Sequence, residues 1–269
     1  MASEDWAPTG IDVSKPSVAR MYDYYLNGKD NFEVDRVAAE EAIAAAPVAA
    51  EMAVENRSFL GRAVRYLAAE AGIRQFIDLG TGLPTMGNVH EVAHEVAPDA
   101  RVVYVDYDPI VLAHARALLA EAGRTTIVQA DMREPEAILG SPRLRELIDF
   151  DQPVAVLMVA VLHFVTDDEN PRAIIDRFRQ VMAPGSYLVL SHATGDTGPD
   201  AAKLAEAYRN ASATAPVVPR SHAQIQSLFD GFEIVEPGVV HLPQWRPDSP
   251  ESVQDPERMW ILSGVGRKD

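Results

Sequence analysis

The stretch FIDLGTGLPT, Phe76 to Thr85, decides the fold. Its apolar start reads as a buried strand interrupted by Asp78, and the chain then breaks at Gly80 and Gly82. A strand that runs into a glycine turn brings backbone close to a ligand of nucleotide type. The dinucleotide fingerprint requires a third glycine where Thr85 stands, and Pro84 sits inside the turn. The next helix is expected to begin only near Asn88, with Glu91 as capping-box partner, so the loop is longer than a pyrophosphate turn. Asp78 also opposes phosphate: a carboxylate at the strand's end repels an anion and attracts an ammonium.

After Gly72 the chain alternates strand and helix. Strands are predicted at Gln75–Leu79, Val102–Asp106, Thr126–Gln129, Val154–Val159, Tyr187–Ser191, Phe232–Val235 and Trp260–Val265. Most are short apolar runs without alternation, as expected when helices cover both faces of a parallel sheet. NVHEVAHEVA, PIVLAHARALLAEAG and NPRAIIDRFRQVM read as the intervening helices. Such βα repeats imply an α/β, doubly wound sheet with its ligand at the carboxyl ends of the strands. Before Gly72, SVARMYDYYL, DRVAAEEAIAAA and ENRSFLGRAVRYLAAEAG are helical in pattern. Residues 1–72 are therefore expected to form a helical cap, and residues 73–269 the core. An irregular stretch, Gly195–Pro219, carries the helical segment DAAKLAEAYRNA and lies where a lid is expected.

Two further strands end as the first does. RVVYVDYDP reaches Asp106, placed to accept hydrogen bonds from ribose hydroxyls, and TIVQADMRE reaches Asp131, placed for an adenine amino group. Three successive strands ending in aspartate suit a nucleoside that carries a cation, and S-adenosylmethionine has an ammonium beside a sulfonium.

At these residues the sequence resembles the class I S-adenosylmethionine-dependent methyltransferases, from about Ile73 to the C-terminus. The matching motifs are FIDLGTG, VVYVDYDP, VQADM, VLMVAVLHFVTDDE and MAPGSYLVLSH; the departure is Pro84, where that family's glycine loop has a small residue. The resemblance implies a Rossmann-like seven-stranded sheet whose last strand is antiparallel. It also implies a cofactor set of Asp78, Gly80, Thr81, Gly82, Asp106, Tyr107, Asp131, Met132 and Ala160. VARMYDYYLNGKDNFEVD, LGTGLPTMGNVHEVAHEVAP and YVDYDPIVLAHARALL are similar to a narrower actinobacterial family of methyltransferase-like proteins, which brings the N-terminus into the match.

Other residues offer chemistry beside a plain structural reading. Arg20 and Arg57 are candidates for the methionine carboxylate, through bidentate contacts, or for surface ion pairs. Tyr22, Tyr25 and Asn31, in a stretch too polar and aromatic for a simple core helix, are candidates for a lid that excludes water from the sulfonium. The alternative is tyrosines packed against the sheet. His163, in an LH context, is a candidate general base, and His192 a second cleft histidine; either also suits a cleft-lining hydrogen bond. HEVAH, His90 to His94, matches a zinc-protease string, yet its helix ends at Pro98 and no third ligand follows at a familiar spacing. Two solvent-facing histidines, and no metal, are expected.

Composition narrows the class. With 24 basic and 40 acidic residues the net charge is −16, which disfavours nucleic acid and anionic membranes as partners. Cysteine is absent, which excludes disulfides and thiolate metal sites. The start MASEDWAPTG has no leader pattern, and the longest apolar run, Val154 to Leu162, is too short to span a membrane. A cytoplasmic enzyme is expected, methylating oxygen or nitrogen of a small molecule. The alternative is a non-catalytic, regulatory binder of S-adenosylmethionine. Nothing in the spacing encodes an oligomeric state.

Overall fold

The computed structural model describes residues 12–84, 87–119, 123–197, 199–249 and 255–269; Thr85 of the glycine stretch lies outside them. Three helices come first: α1 (Val18–Tyr25), α2 (Glu33–Ala45) and α3 (Ala49–Ala69). The alternating part follows as β1 (Gln75–Leu79), α4 (Val89–Val96), β2 (Arg101–Asp106), α5 (Pro109–Leu119) and β3 (Thr125–Gln129). Next come α6 (Pro135–Leu139), α7 (Pro142–Leu147), β4 (Ala155–Val159), α8 (Pro171–Val181) and β5 (Tyr187–Ala193). The chain ends through α9 (Asp200–Asn210), α10 (His222–Ser227), β6 (Glu233–Ile234), β7 (Val240–His241) and β8 (Ile261–Arg267).

The strands lie in the order β3-β2-β1-β4-β5-β8-β6, with β7 also paired to β8. Strands β1 to β5 are mutually parallel, whereas β8 runs antiparallel to β5. The antiparallel last strand is as expected, but the sheet holds one strand more than the seven read from sequence. The addition, Val240–His241, is only two residues long and gives no periodic signal.

Both faces of the sheet are covered, which explains the unbroken apolar strands. Phe76, Val102 and Tyr104 pack on the side of α1 to α4, while Ile77, Val103 and Val105 pack against α8 on the other. Strand order reverses between β1 and β4, and a doubly wound sheet opens a crevice at that point. The segment expected as a lid contains α9, which packs on α2. No helix among the described residues is long and apolar enough to cross a membrane.

Candidate functional site

The carboxyl ends of β1 to β4 open on one cavity of about 1140 Å³, counted with its open mouth. Each strand contributes its terminal turn: Asp78 with Gly80 to Gly82, Val105 to Asp108, Ala130 to Arg133, and Val159 to Val161. Across from them lie Val18, Ala19 and Tyr22 of α1, then Asn56, Arg57 and Leu60 of α3. Phe164, Val165, Tyr208 and Ala215 complete the wall.

The glycine turn is folded back on β2. The amides of Gly80 and Thr81 donate to the Val105 carbonyl at 2.8 and 3.3 Å, and the Gly82 amide donates to Asp106 Oδ2 at 2.9 Å. Three amides that would cradle a phosphate are thereby committed within the protein. Gly80 has φ +70, and a Cβ there would lie 2.3 Å from a Val161 methyl, so only glycine lets β1 and β4 close on each other.

Asp78 and Asp106 are almost fully buried. Burial lifts Asp78 to a pKa of about 6, against the Thr81 hydrogen bond and the Arg57 charge; nearby Asp106 adds to the rise. Asp106 is likewise lifted to about 6 by burial, although the amides of Asp108 and Gly82 donate to it. Asp108 accepts the Ile110 amide at 3.0 Å, capping α5, and the Ser17 hydroxyl at 2.9 Å, which ties the start of α1 to β2. Asp131 is held differently, in a bidentate pair with Arg133, which also reaches Glu169. Burial would raise Asp131, but the hydrogen bonds and charge of Arg133 hold it below the usual carboxylate value. At the end of β4, Ala160 takes φ +52, and its amide donates to Ser191 Oγ at 2.8 Å.

Of the residues singled out from sequence, Asp78, Gly80, Thr81, Gly82, Asp106, Tyr107, Asp131, Met132, Ala160, Arg57 and Tyr22 all border this cavity. Five do not. Arg20, 2 % exposed, donates to Asp35 at 2.7 Å and to the Lys15 carbonyl, so its charge is spent inside the N-terminal region. Asn31 is bound to Asp23 and the Gly28 carbonyl. Tyr25 is buried with its hydroxyl 3.2 Å from that of Tyr208, one layer behind the wall. His163 is buried, accepts the Ala193 amide on Nδ1, and presents its neighbour Phe164 to the cavity instead of itself. His192 is fully buried and accepts from Arg220 on Nε2 at 2.8 Å. Burial, reinforced by His192 and by the charge of Arg220, lowers His163 well below its ordinary value; burial, with Arg220 adding to it, lowers His192 to about 4. Both rings are thus neutral.

The HEVAH histidines depart from expectation too. The Asn88–Glu91 capping box forms, but neither ring faces solvent freely: His90 Nδ1 pairs with the Tyr104 hydroxyl at 2.7 Å, and His94 Nε2 with the Ala100 carbonyl at 2.9 Å. Sequence reasoning passed over Asn56, Asp108, Arg133, Phe164 and Tyr208. Local signals existed for three: Asp108 and Arg133 each follow a strand-end aspartate by two residues, and Phe164 adjoins His163.

A family model described as S-adenosyl methyltransferase matches residues 4–269. A Thermobifida fusca YX protein, provisionally described as a methyltransferase, is 47% identical, with a TM-score of 0.92 over 98% of this chain and 99% of its own. A DUF574 family protein from Streptomyces avermitilis MA-4680 is 40% identical, with a TM-score of 0.92 over 96% of this chain and 99% of its own. Mitomycin 7-O-methyltransferase, 18% identical at a TM-score of 0.52 over 93% of this chain and 68% of its own, shares the fold. No curated protein matches the chain.

Proposed function

The chain belongs to the S-adenosyl methyltransferase family and is an S-adenosylmethionine-dependent methyltransferase; from that premise we propose that this cavity holds the cofactor beside a small-molecule oxygen or nitrogen acceptor. The observation that carries the reading is the joint presence of Asp78, Asp106, Asp131 and Arg57 on one cavity at the sheet's switch point. A buried carboxylate beside a guanidinium suits a zwitterion: Asp78 takes the ammonium and Arg57 the carboxylate of an amino-acid end. Asp106 takes the ribose hydroxyls, with Gly80, Thr81, Gly82 and Tyr107 shaping the turn around them. Met132 offers an apolar side chain to the adenine. Asp131, engaged by Arg133, acts there through its remaining lone pairs. The committed amides of the glycine turn support this reading over a pyrophosphate ligand.

Bound there, S-adenosylmethionine supplies an electrophilic methyl on a sulfonium. The protein's own contribution is to orient the acceptor and exclude water. Of the expected cap 1–72, the described residues 12–72 serve as a helical cover for the core 73–269, since Val18, Ala19, Tyr22 and Leu60 wall the cavity beside the strand ends. The remaining wall, Phe164, Val165, Tyr208 and Ala215, receives the acceptor. Among the described residues no histidine lines the cavity, so a proton from the acceptor would pass to one of the lining carboxylates or tyrosines, and a neutral amine or an already ionised oxygen would need no base.

Calorimetry with S-adenosylhomocysteine tests the site. Hydrogen bonds to a charged group contribute about 1.5–3 kcal/mol, so Asp106→Ala should weaken binding at least ten-fold. Unchanged affinity would remove Asp106 from the site. Methyl-labelled cofactor, incubated with metabolite extracts, would then identify the acceptor.

A further inference from the structure

Four hydrogen bonds run head to tail from the end of β4 to the N-terminal helices. The Ala160 amide donates to Ser191 Oγ at 2.8 Å, and the Ser191 hydroxyl donates to Asn56 Oδ1 at 2.6 Å. Asn56 Nδ2 then donates to the Tyr22 hydroxyl at 3.0 Å, which donates to the Ala53 carbonyl at 3.0 Å. Ser191 is fully buried and Asn56 is 2 % exposed. Buried links in series polarise one another, and a broken link leaves a desolvated group behind.

The chain begins at a strained place. Ala160 holds a left-handed φ of +52, which an alanine keeps only when its surroundings over-determine it. Its neighbour Val161 fills the space above Gly80, so a shift of the Ala160 peptide displaces the glycine turn. At the other end Tyr22 belongs to α1, and both Tyr22 and Ala160 border the cavity. One polar thread therefore joins the seating of α1 on α3 to the shape of the strand ends.

We propose that Tyr22, Asn56 and Ser191 are positioning residues for the cofactor. Docked α1 fixes the Ala160 peptide and, through Val161, the glycine turn in its binding conformation, so seating of the N-terminal helices and cofactor binding are one event. The proposal rests on the cavity being the S-adenosylmethionine site.

Its test is a double-mutant cycle on S-adenosylhomocysteine affinity, read by calorimetry. Tyr22→Phe and Ser191→Ala each delete one oxygen, at links separated by Asn56. Each alone should weaken binding about five-fold, a typical net hydrogen-bond effect. Cutting a series connection twice adds little, so the double variant should lose no more than about ten-fold, short of the roughly 25-fold product. Ser191→Thr, which keeps the hydroxyl, should bind within about two-fold of the parent, a margin near the additivity error of such cycles. Independent losses that multiply, or single variants without effect, would overturn the proposal. Should Ser191→Ala fail to fold, hydrogen exchange reads the same connection in Tyr22→Phe. Slowing of residues 158–162 on ligand binding must appear in the parent and vanish in that variant; its persistence there would refute the thread. Asp106→Ala serves as the control. If it binds normally, the cavity reading itself fails; if it binds weakly while the other losses multiply, only the thread fails.

Discussion

Burial lifts both Asp78 and Asp106 to a pKa of about 6, so each is a carboxylate kept ionised at a cost to folding. Relative to the usual 3.8, the folded protein binds protons more tightly than the unfolded chain. Their stabilising contribution is therefore complete below about pH 4 and is lost as pH rises through 6. For Asp78 the difference amounts to as much as roughly 3 kcal/mol at neutral pH. Asp78→Asn should accordingly raise the melting temperature of the ligand-free protein at pH 7.5, by several degrees, and weaken S-adenosylhomocysteine binding. A variant that melted lower at that pH would show the carboxylate to be structural. Binding itself should run the other way with pH. An ammonium partner needs ionised Asp78, so affinity measured by calorimetry should fall as pH drops below 6, and a flat profile from pH 5 to 8 would break that pairing. The three strand-end aspartates were legible because each closes an apolar run that local pattern defines. Arg20 was not, because its partner Asp35 is fixed only when α1 and α2 pack, and nothing in MYDYYLNGKDNF records that pairing. Nor were Asn56 and Ser191, which meet across 135 residues.

At the scale of elements, the turn Leu162–Phe164 shows why His163 misled. Arg220, 5 % exposed, donates to the Leu162 and Val165 carbonyls, to His192 and to Asp167. That fork clamps both ends of the turn and the far end of the 195–219 segment. The clamp leaves Phe164 on the cavity, stacked 6.2 Å from Tyr208, with His163 behind it. Arg220→Met would strand two buried carbonyls and should cost about 2–4 kcal/mol. Thermal melts read the loss, and near-UV dichroism should show the aromatic wall loosened; a melt within a degree of the parent would mean that water replaces the guanidinium without penalty. The N-terminal helices make a separate prediction. Since Tyr22 borders the cavity, hydrogen exchange across residues 14–35 should slow when S-adenosylhomocysteine binds. Exchange unaltered there would reduce the cap to packing. Strand positions were readable to within two residues because apolar runs mark them. β7 was not, since a pair of residues held by β8 owes its conformation to its neighbour.

Over the whole molecule, the helical region and the sheet share their bonds. Ser17 joins α1 to Asp108 beyond β2, Tyr22 and Asn56 reach Ser191 on β5, and α9 packs on α2. Residues 12–72 should therefore unfold together with the sheet. Far-UV dichroism and tryptophan fluorescence should trace one coincident transition, and two separated midpoints would divide the chain into independent units. Ligand at 100 times its dissociation constant should add about 2.7 kcal/mol to that single transition. The loop before α2 carries a further consequence. A Cβ on Gly28 would fall 1.9 Å from Asp23 Oδ1, and that carboxylate holds the Asp30 amide and the Asn31 side chain. The string LNGKDNF is thus a joinery mark, recording how the first helix is bolted on and leaving the cargo unspecified. Chains that carry it are expected to share this assembly whatever they methylate, and to sort by acceptor at the positions of Phe164, Tyr208 and Ala215.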